Sequence, residues 1–307
     1  MNEPHGLLVG NDLVVFAGFV QRLTNVINQT YAKDVTVSNS TWRRMEDVPL
    51  PVGITHTPTV LIGKKVVLCG GYLGGVPGPH VANCFIYDHN VIPGMDQWAR
   101  FPRLPDGGSA GAGMIYDSGS RTLFYAGGSK RPILGESFSF DVNTVWKYTF
   151  ASGLRNWVAS TPIPLQSNHM SSVTHRDSIT KKERHFFLGG QMGENEYTGN
   201  LPDMYEFIVS SETWVRRAPM PMGRGHAMAS TRSFGCGFII SSGSVNTATR
   251  VLNRTADISY YDIPTDRWTS IGSLVYGMVT PVIDIDTNGY MHHVDSRSRS
   301  FRRRISF

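Results

Sequence analysis

Short apolar runs ending in glycine recur along the chain: Val14-Val15-Phe16-Ala17-Gly18, Val67-Leu68-Cys69-Gly70-Gly71, Phe124-Tyr125-Ala126-Gly127-Gly128, Phe187-Leu188-Gly189-Gly190 and Ile239-Ile240-Ser241-Ser242-Gly243. Runs this short, bounded by turn residues, predict β-strands. Around the second run, Thr57 to Ile62 reads as strand a, Gly63-Lys64-Lys65 as a turn, and Val66 to Cys69 as strand b. The glycine pair then opens a long loop. Cys84 to Tyr87 reads as strand c, and a tight turn leads to strand d, which starts at a tryptophan.

A second marker keeps phase with the first. Trp42, Trp98, Trp157, Trp214 and Trp268 recur every 54 to 59 residues, and only Trp146 falls outside the series. Each follows the last glycine of its run by 24 to 29 residues. Pro51, Pro105, Pro164 and Pro221 follow four of these tryptophans, and turn residues such as Asn39-Ser40-Thr41 and Pro264-Thr265-Asp266-Arg267 precede them. Units of about 50 residues with four antiparallel strands predict propeller blades. The glycines permit close approach and a positive φ where inner strands crowd an axis. Each tryptophan supplies a large apolar plate between one sheet and the next.

The resulting expectation is one all-β domain over residues 1–307, with six blades near 5–51, 52–105, 106–164, 165–221, 222–274 and 275–307. The sixth is incomplete. It has strand-like stretches at Thr280 to Asp284 and Tyr290 to Val294, without a glycine pair or tryptophan, and its outer strand is either degenerate at Phe301 to Phe307 or missing.

Composition fits an all-β chain: 32 glycines, 17 prolines, 11% aromatic and only 17% charged residues. The net charge of +5 is local, because Arg297, Arg299, Arg302, Arg303 and Arg304 crowd the C-terminus. Without a wider basic stripe interleaved with aromatics, no nucleic-acid partner is expected. Three cysteines do not make a disulfide framework. Cys69 and Cys84 fall on neighbouring strands, where one bridge is conceivable, but buried free thiols are expected. The first ten residues lack the basic and apolar regions of a signal peptide, which favours the cytoplasm but leaves the location open; no membrane span is expected, and further domains beyond either end remain open.

The repeat resembles the Kelch repeat. The resemblance rests on the apolar run with Gly-Gly, on Ile86-Tyr87-Asp88 and Tyr260-Tyr261-Asp262 in strand c, on the tryptophan, and on Met-Pro-x-x-Arg-x-His. Its clearest copy runs from Trp214 through Ala218-Pro219-Met220-Pro221-Met222-Gly223-Arg224-Gly225-His226. It covers residues 5–274 and implies a six-bladed Kelch-type β-propeller of the galactose oxidase/Kelch-like superfamily, with the sixth blade degenerate or truncated. It implies fold and leaves function open.

Antiparallel geometry sends the b–c loops and the d–a connections to one face, and long loops on a rigid ring are where binding resides. The candidates there are His56, His80, Arg131, His169, Glu194, Glu196, Tyr197, Arg224, His226 and Arg250. His5, His56, His169 and His226 read as equivalent positions. The resemblance implies structural histidines bonded to neighbouring backbone, and different blades are expected to hold them too far apart to share an ion. No metal, cofactor or catalytic residue is therefore assigned. The copper chemistry of galactose oxidase, similar in fold, needs a Tyr–Cys crosslink near the channel mouth, and none of Cys69, Cys84 and Cys236 lies there. The Glu-x-x-x-Asp-x-x-x-His iron pattern of plant specifier proteins does not follow Glu194 or Glu196. The expected function is a non-enzymatic scaffold that binds a protein through the b–c face. The alternative is a carbohydrate-active ring, lectin-like or sialic-acid-mutarotase-like, using the same channel mouth.

Overall fold

The computed structural model describes residues 4–20, 25–74, 78–131, 139–150, 153, 156–193, 198–248, 251–294 and 300–305. Among these, every extended element is a strand, and the lone helical turn is a 3-10 turn at Pro105–Gly107. Among the described residues no helix is long and apolar enough to cross a membrane.

Among the described residues the strands form five four-stranded antiparallel sheets and a three-stranded one, with a second three-stranded sheet and two two-stranded pairs built from short loop strands. Sheet 1 holds His5–Val9, Asp12–Val20, Asn25–Asp34 and Arg43–Arg44; sheet 2 holds Thr59–Ile62, Lys65–Cys69, Cys84–Asp88 and Trp98–Phe101. Sheet 3 holds Gly113–Asp117, Thr122–Ala126, Val145–Thr149 and Val158–Ser160; sheet 4 holds Ser171–Arg176, Glu183–Leu188, Met204–Ile208 and Thr213–Arg216. Sheet 5 holds Thr231–Phe234, Gly237–Ser241, Asp257–Asp262 and Arg267–Ser273. Sheet 6 holds Val282–Ile285, Tyr290–Val294 and Ser300–Arg304. The C-terminal arginine stretch therefore pairs as a third strand, not as an outer fourth.

First strands of consecutive sheets touch, and the first strand of sheet 6 touches that of sheet 1. Strand b shows why the sheets stack. Val66 and Leu68 pack into the joint with sheet 1, while Val67 and Cys69 pack into the joint with sheet 3. A strand buried on both faces reads as a continuous apolar run rather than an alternation. Six apolar clusters fill the six joints between neighbouring sheets, including the joint of sheet 6 with sheet 1 around Leu13, Val15, Val282 and Val294.

Four of the repeat tryptophans do more than fill space. Their indole N–H groups donate to a backbone carbonyl of the preceding sheet's segment: Trp98 to Glu46, Trp157 to Pro102, Trp214 to Thr161 and Trp268 to Ala218, at 2.8–3.0 Å. The glycine pair is a double positive-φ bend, as at Gly189 (65°) and Gly190 (92°). A Cβ on Gly190 would stand 2.5 Å from the Asn168 carbonyl oxygen. Sheet 1 makes the same bend with Ala17 (50°) and Gly18 (104°).

Cys69 and Cys84 correct the free-thiol expectation. They stand directly opposite each other in the ladder of sheet 2, with Cα atoms 4.1 Å apart, and form a disulfide. Direct cross-strand pairing brings two Cβ atoms within bonding reach.

Candidate functional site

The segments that enter the first strands of sheets 2, 4 and 5 carry His56, His169 and His226. All three have positive φ (58°, 52° and 52°), and all are buried. The corresponding bends of sheets 3 and 6 carry Gly111 (66°) and Thr280 (44°). Backbone bonds knit these bends together: Gly111 N–H donates to His56 O (2.8 Å), Met170 N–H to Gly111 O (3.3 Å) and Thr280 N–H to His226 O (2.8 Å).

This turns the three rings inward onto one another. Ring centroids lie 4.0 Å apart for His169 and His226, 4.5 Å for His56 and His169, and 6.4 Å for His56 and His226. The expectation that separate sheets hold them too far apart does not hold. His5 is not equivalent to them; it lies within a strand, and its Nε2 accepts the Thr57 N–H at 2.9 Å. Burial lowers His226 to about 4 and His5 to about 3. It also lowers His56 and His169 well below the usual imidazole range, with neighbouring histidines adding to the effect. All four rings are therefore neutral near pH 7.

Side chains behind two of the rings fix their tautomers. His169 Nδ1 donates to the Asn168 side-chain carbonyl. Ser244 Oγ donates its hydrogen to Asn200 Oδ1 (2.9 Å), so at 3.2 Å it accepts from His226 Nδ1. Asn168 and Ser244 carried no signal in the sequence that would set them apart from other loop polar residues.

Arg224, a binding-face candidate, is only 2% exposed. Its guanidinium donates to Ser259 Oγ (2.7 Å), to the Asp257 carboxylate and to the carbonyls of Asp257, Ile240 and Ser242. Its charge is spent inside sheet 5. Arg131 is also buried, its guanidinium 5.4 Å from the Tyr72 ring, and its N–H donates to His80 Nδ1 at 2.9 Å. That contact ties the b–c loop of sheet 2 to that of sheet 3. Glu194, Glu196, Tyr197 and Arg250 lie outside the described residues.

A cavity of about 530 Å³ occupies the axis beyond the histidine layer. Its wall includes Leu7, Thr59, Met170, Thr231, Arg232 and Asp284, and it reaches the a–b turns at Gly10, Asn11 and Asp286 to Asn288. It therefore lies towards the face opposite the b–c loops. Its charged groups are held in the wall: Asp284 accepts the Leu8 N–H (2.7 Å) and pairs with Arg232 (3.0 Å), whose Nη2 donates to Gly6 O (2.7 Å).

No protein-family model and no curated protein matches the chain. Among solved structures, that of YjhT is similar: 13% identity, TM-score 0.72, covering 97% of this chain and 92% of that one. At that identity the likeness shows fold alone, an all-β, propeller-like arrangement of antiparallel sheets.

Proposed function

We propose that the chain is a six-bladed Kelch-type propeller, a single domain with an incomplete sixth blade, acting as a non-enzymatic protein-binding scaffold through its b–c face. Six apolar joints between sheets and contact between the first strands of sheets 1 and 6 support the blade count. The in-phase glycine and tryptophan markers support the Kelch assignment.

One observation carries the binding reading. The b–c loops of three consecutive sheets expose large apolar side chains: Phe140 at 47%, Met192 at 55% and Val251 at 68%. Apolar side chains on neighbouring loops of a rigid scaffold suit a protein surface. The charged groups nearby, Arg131 and Arg224, are committed to internal contacts and serve the scaffold. The test is a triple variant, Phe140→Glu, Met192→Glu and Val251→Glu, against wild type in pull-downs from native lysate. The reading expects wild-type partners to be lost with thermal stability unchanged. Partners retained by a folded triple variant would refute it.

The axial cavity favours a second reading, a carbohydrate ligand, held towards the face opposite the b–c loops and not at the b–c mouth where it was expected. Its volume falls within the range of small-molecule sites, and Thr59 and Asn11 offer a hydroxyl and an amide group. A sugar panel that raises Tm of wild type, and loses the effect in Thr59→Val, would support it; a flat panel would remove it.

A further inference from the structure

We propose that His56, His169 and His226 form a binding site for one divalent transition-metal ion of the zinc class, at the inner end of the axial cavity. This goes beyond the scaffold reading and does not depend on it.

The chemistry starts from the ligand atoms. One ring nitrogen from each of the three histidines lies within 4.8 Å of those of the other two. Three Zn–N bonds of about 2.0–2.1 Å at tetrahedral angles need nitrogen separations of about 3.3 Å. Binding would draw the three nitrogens from within 4.8 Å of one another to about 3.3 Å. The rings belong to three different sheets, so the ion would crosslink the ring across its axis.

The tautomers suit ligation. His169 and His226 each commit Nδ1–H to a side-chain oxygen, which leaves the lone pair on Nε2. A hydrogen-bonded second nitrogen is the usual support behind a metal-binding histidine, fixing its orientation. Asn168 and Ser244 supply it, and Ser244 is fixed in turn by Asn200.

A second observation points to a ligand. His169 is 9% exposed, and its Nε2 is buried without any protein hydrogen-bond partner. A buried polar atom left this way is costly. An electrophile at the centre of the trio would satisfy it. Among the described residues, His226, His5 and Arg131 act on His56 electrostatically, and all three oppose added positive charge there. Three neutral nitrogens, with no carboxylate in the cluster among the described residues, suit an imidazole-seeking ion such as Zn²⁺ or Co²⁺ rather than Ca²⁺ or Mg²⁺. A fourth position would face the cavity, where Met170 follows His169 in the wall and a water or small anion could complete the shell.

The test uses the full chain stripped with EDTA, with Zn²⁺ in calorimetric titration and Co²⁺ followed by visible absorption. The expected result is one equivalent bound per chain, the d–d bands of tetrahedral Co²⁺, and a Tm raised by several degrees. His226→Gln and His169→Gln should lose at least a hundredfold in affinity, with circular dichroism checking that each folds. His175→Gln, a buried histidine outside the trio, should bind like wild type. No band and no Tm shift in wild type at millimolar Co²⁺ would overturn the proposal, as would unchanged affinity in both folded trio variants. Should both trio variants fail to fold, X-ray absorption on Zn²⁺-loaded wild type decides: three imidazoles support the site, and any other ligand set overturns it.

Discussion

At the scale of single residues, the markers visible in the sequence mark geometry, and the chemistry behind them was only partly legible. Tryptophan spacing identifies a plate between sheets, and packing alone would explain it. The indole N–H bond to the preceding segment, as from Trp214 to Thr161 O, needs a backbone position that spacing does not reveal. His56 and His226 looked alike in sequence, and their convergence on one axis follows from ring geometry no single repeat contains. The buried histidines also have a pH signature. His5 and His226 are held near 3 and 4 by burial, against 6.5 when unfolded. Between those values the unfolded chain binds protons that the folded chain does not, so stability falls as pH falls, by roughly 1.4 kcal/mol per unit for each such histidine. Depressed carboxylates act lower. Asp117, whose carboxylate accepts from His185, loses its contribution only as pH falls through the acid range. Calorimetry with EDTA present should show Tm dropping from about pH 7 to about pH 5, and His226→Gln should flatten that slope. An unchanged slope in His226→Gln would show that this ring is not the buried neutral base described here.

At the scale of elements, the four-strand unit was legible because turn residues and apolar runs agree. Strand c of sheet 2 was expected at Cys84 to Tyr87 and runs Cys84–Asp88. The disulfide was not legible, because sequence fixes neighbouring strands but not their register. A one-residue slip would have turned one thiol to the opposite face. The bridge closes a loop with a sequence separation of 15, for which loop entropy implies about 3 kcal/mol of stability. Urea unfolding of Cys69→Ala/Cys84→Ala should fall by about that amount relative to wild type, and dithiothreitol should lower wild type equally. Equal midpoints with and without reductant would mean the two thiols do not pair.

At the scale of the whole molecule, ring closure was the least readable feature. The sixth unit carries neither marker, and the expected candidate for its outer strand sits in the third position of its sheet. Closure uses packing and polar contacts: Val282 lies against Gly6, where a Cβ would stand 2.9 Å from its methyl carbon, and Asp284 receives the Leu8 N–H. Such contacts depend on the shape of two distant segments and leave no periodic trace. The ring in turn presents two unlike faces. One carries the b–c loops with Phe140, Met192 and Val251, and the other carries the cavity mouth and the exposed Val37, Ile92 and Met95. The central claim is that partners dock on the first face. Its most direct test places a photo-crosslinking amino acid singly at each of these six positions and irradiates the chain in native lysate. The account predicts protein adducts from Phe140, Met192 and Val251, and none from Val37, Ile92 and Met95. Adducts confined to the second set would contradict it.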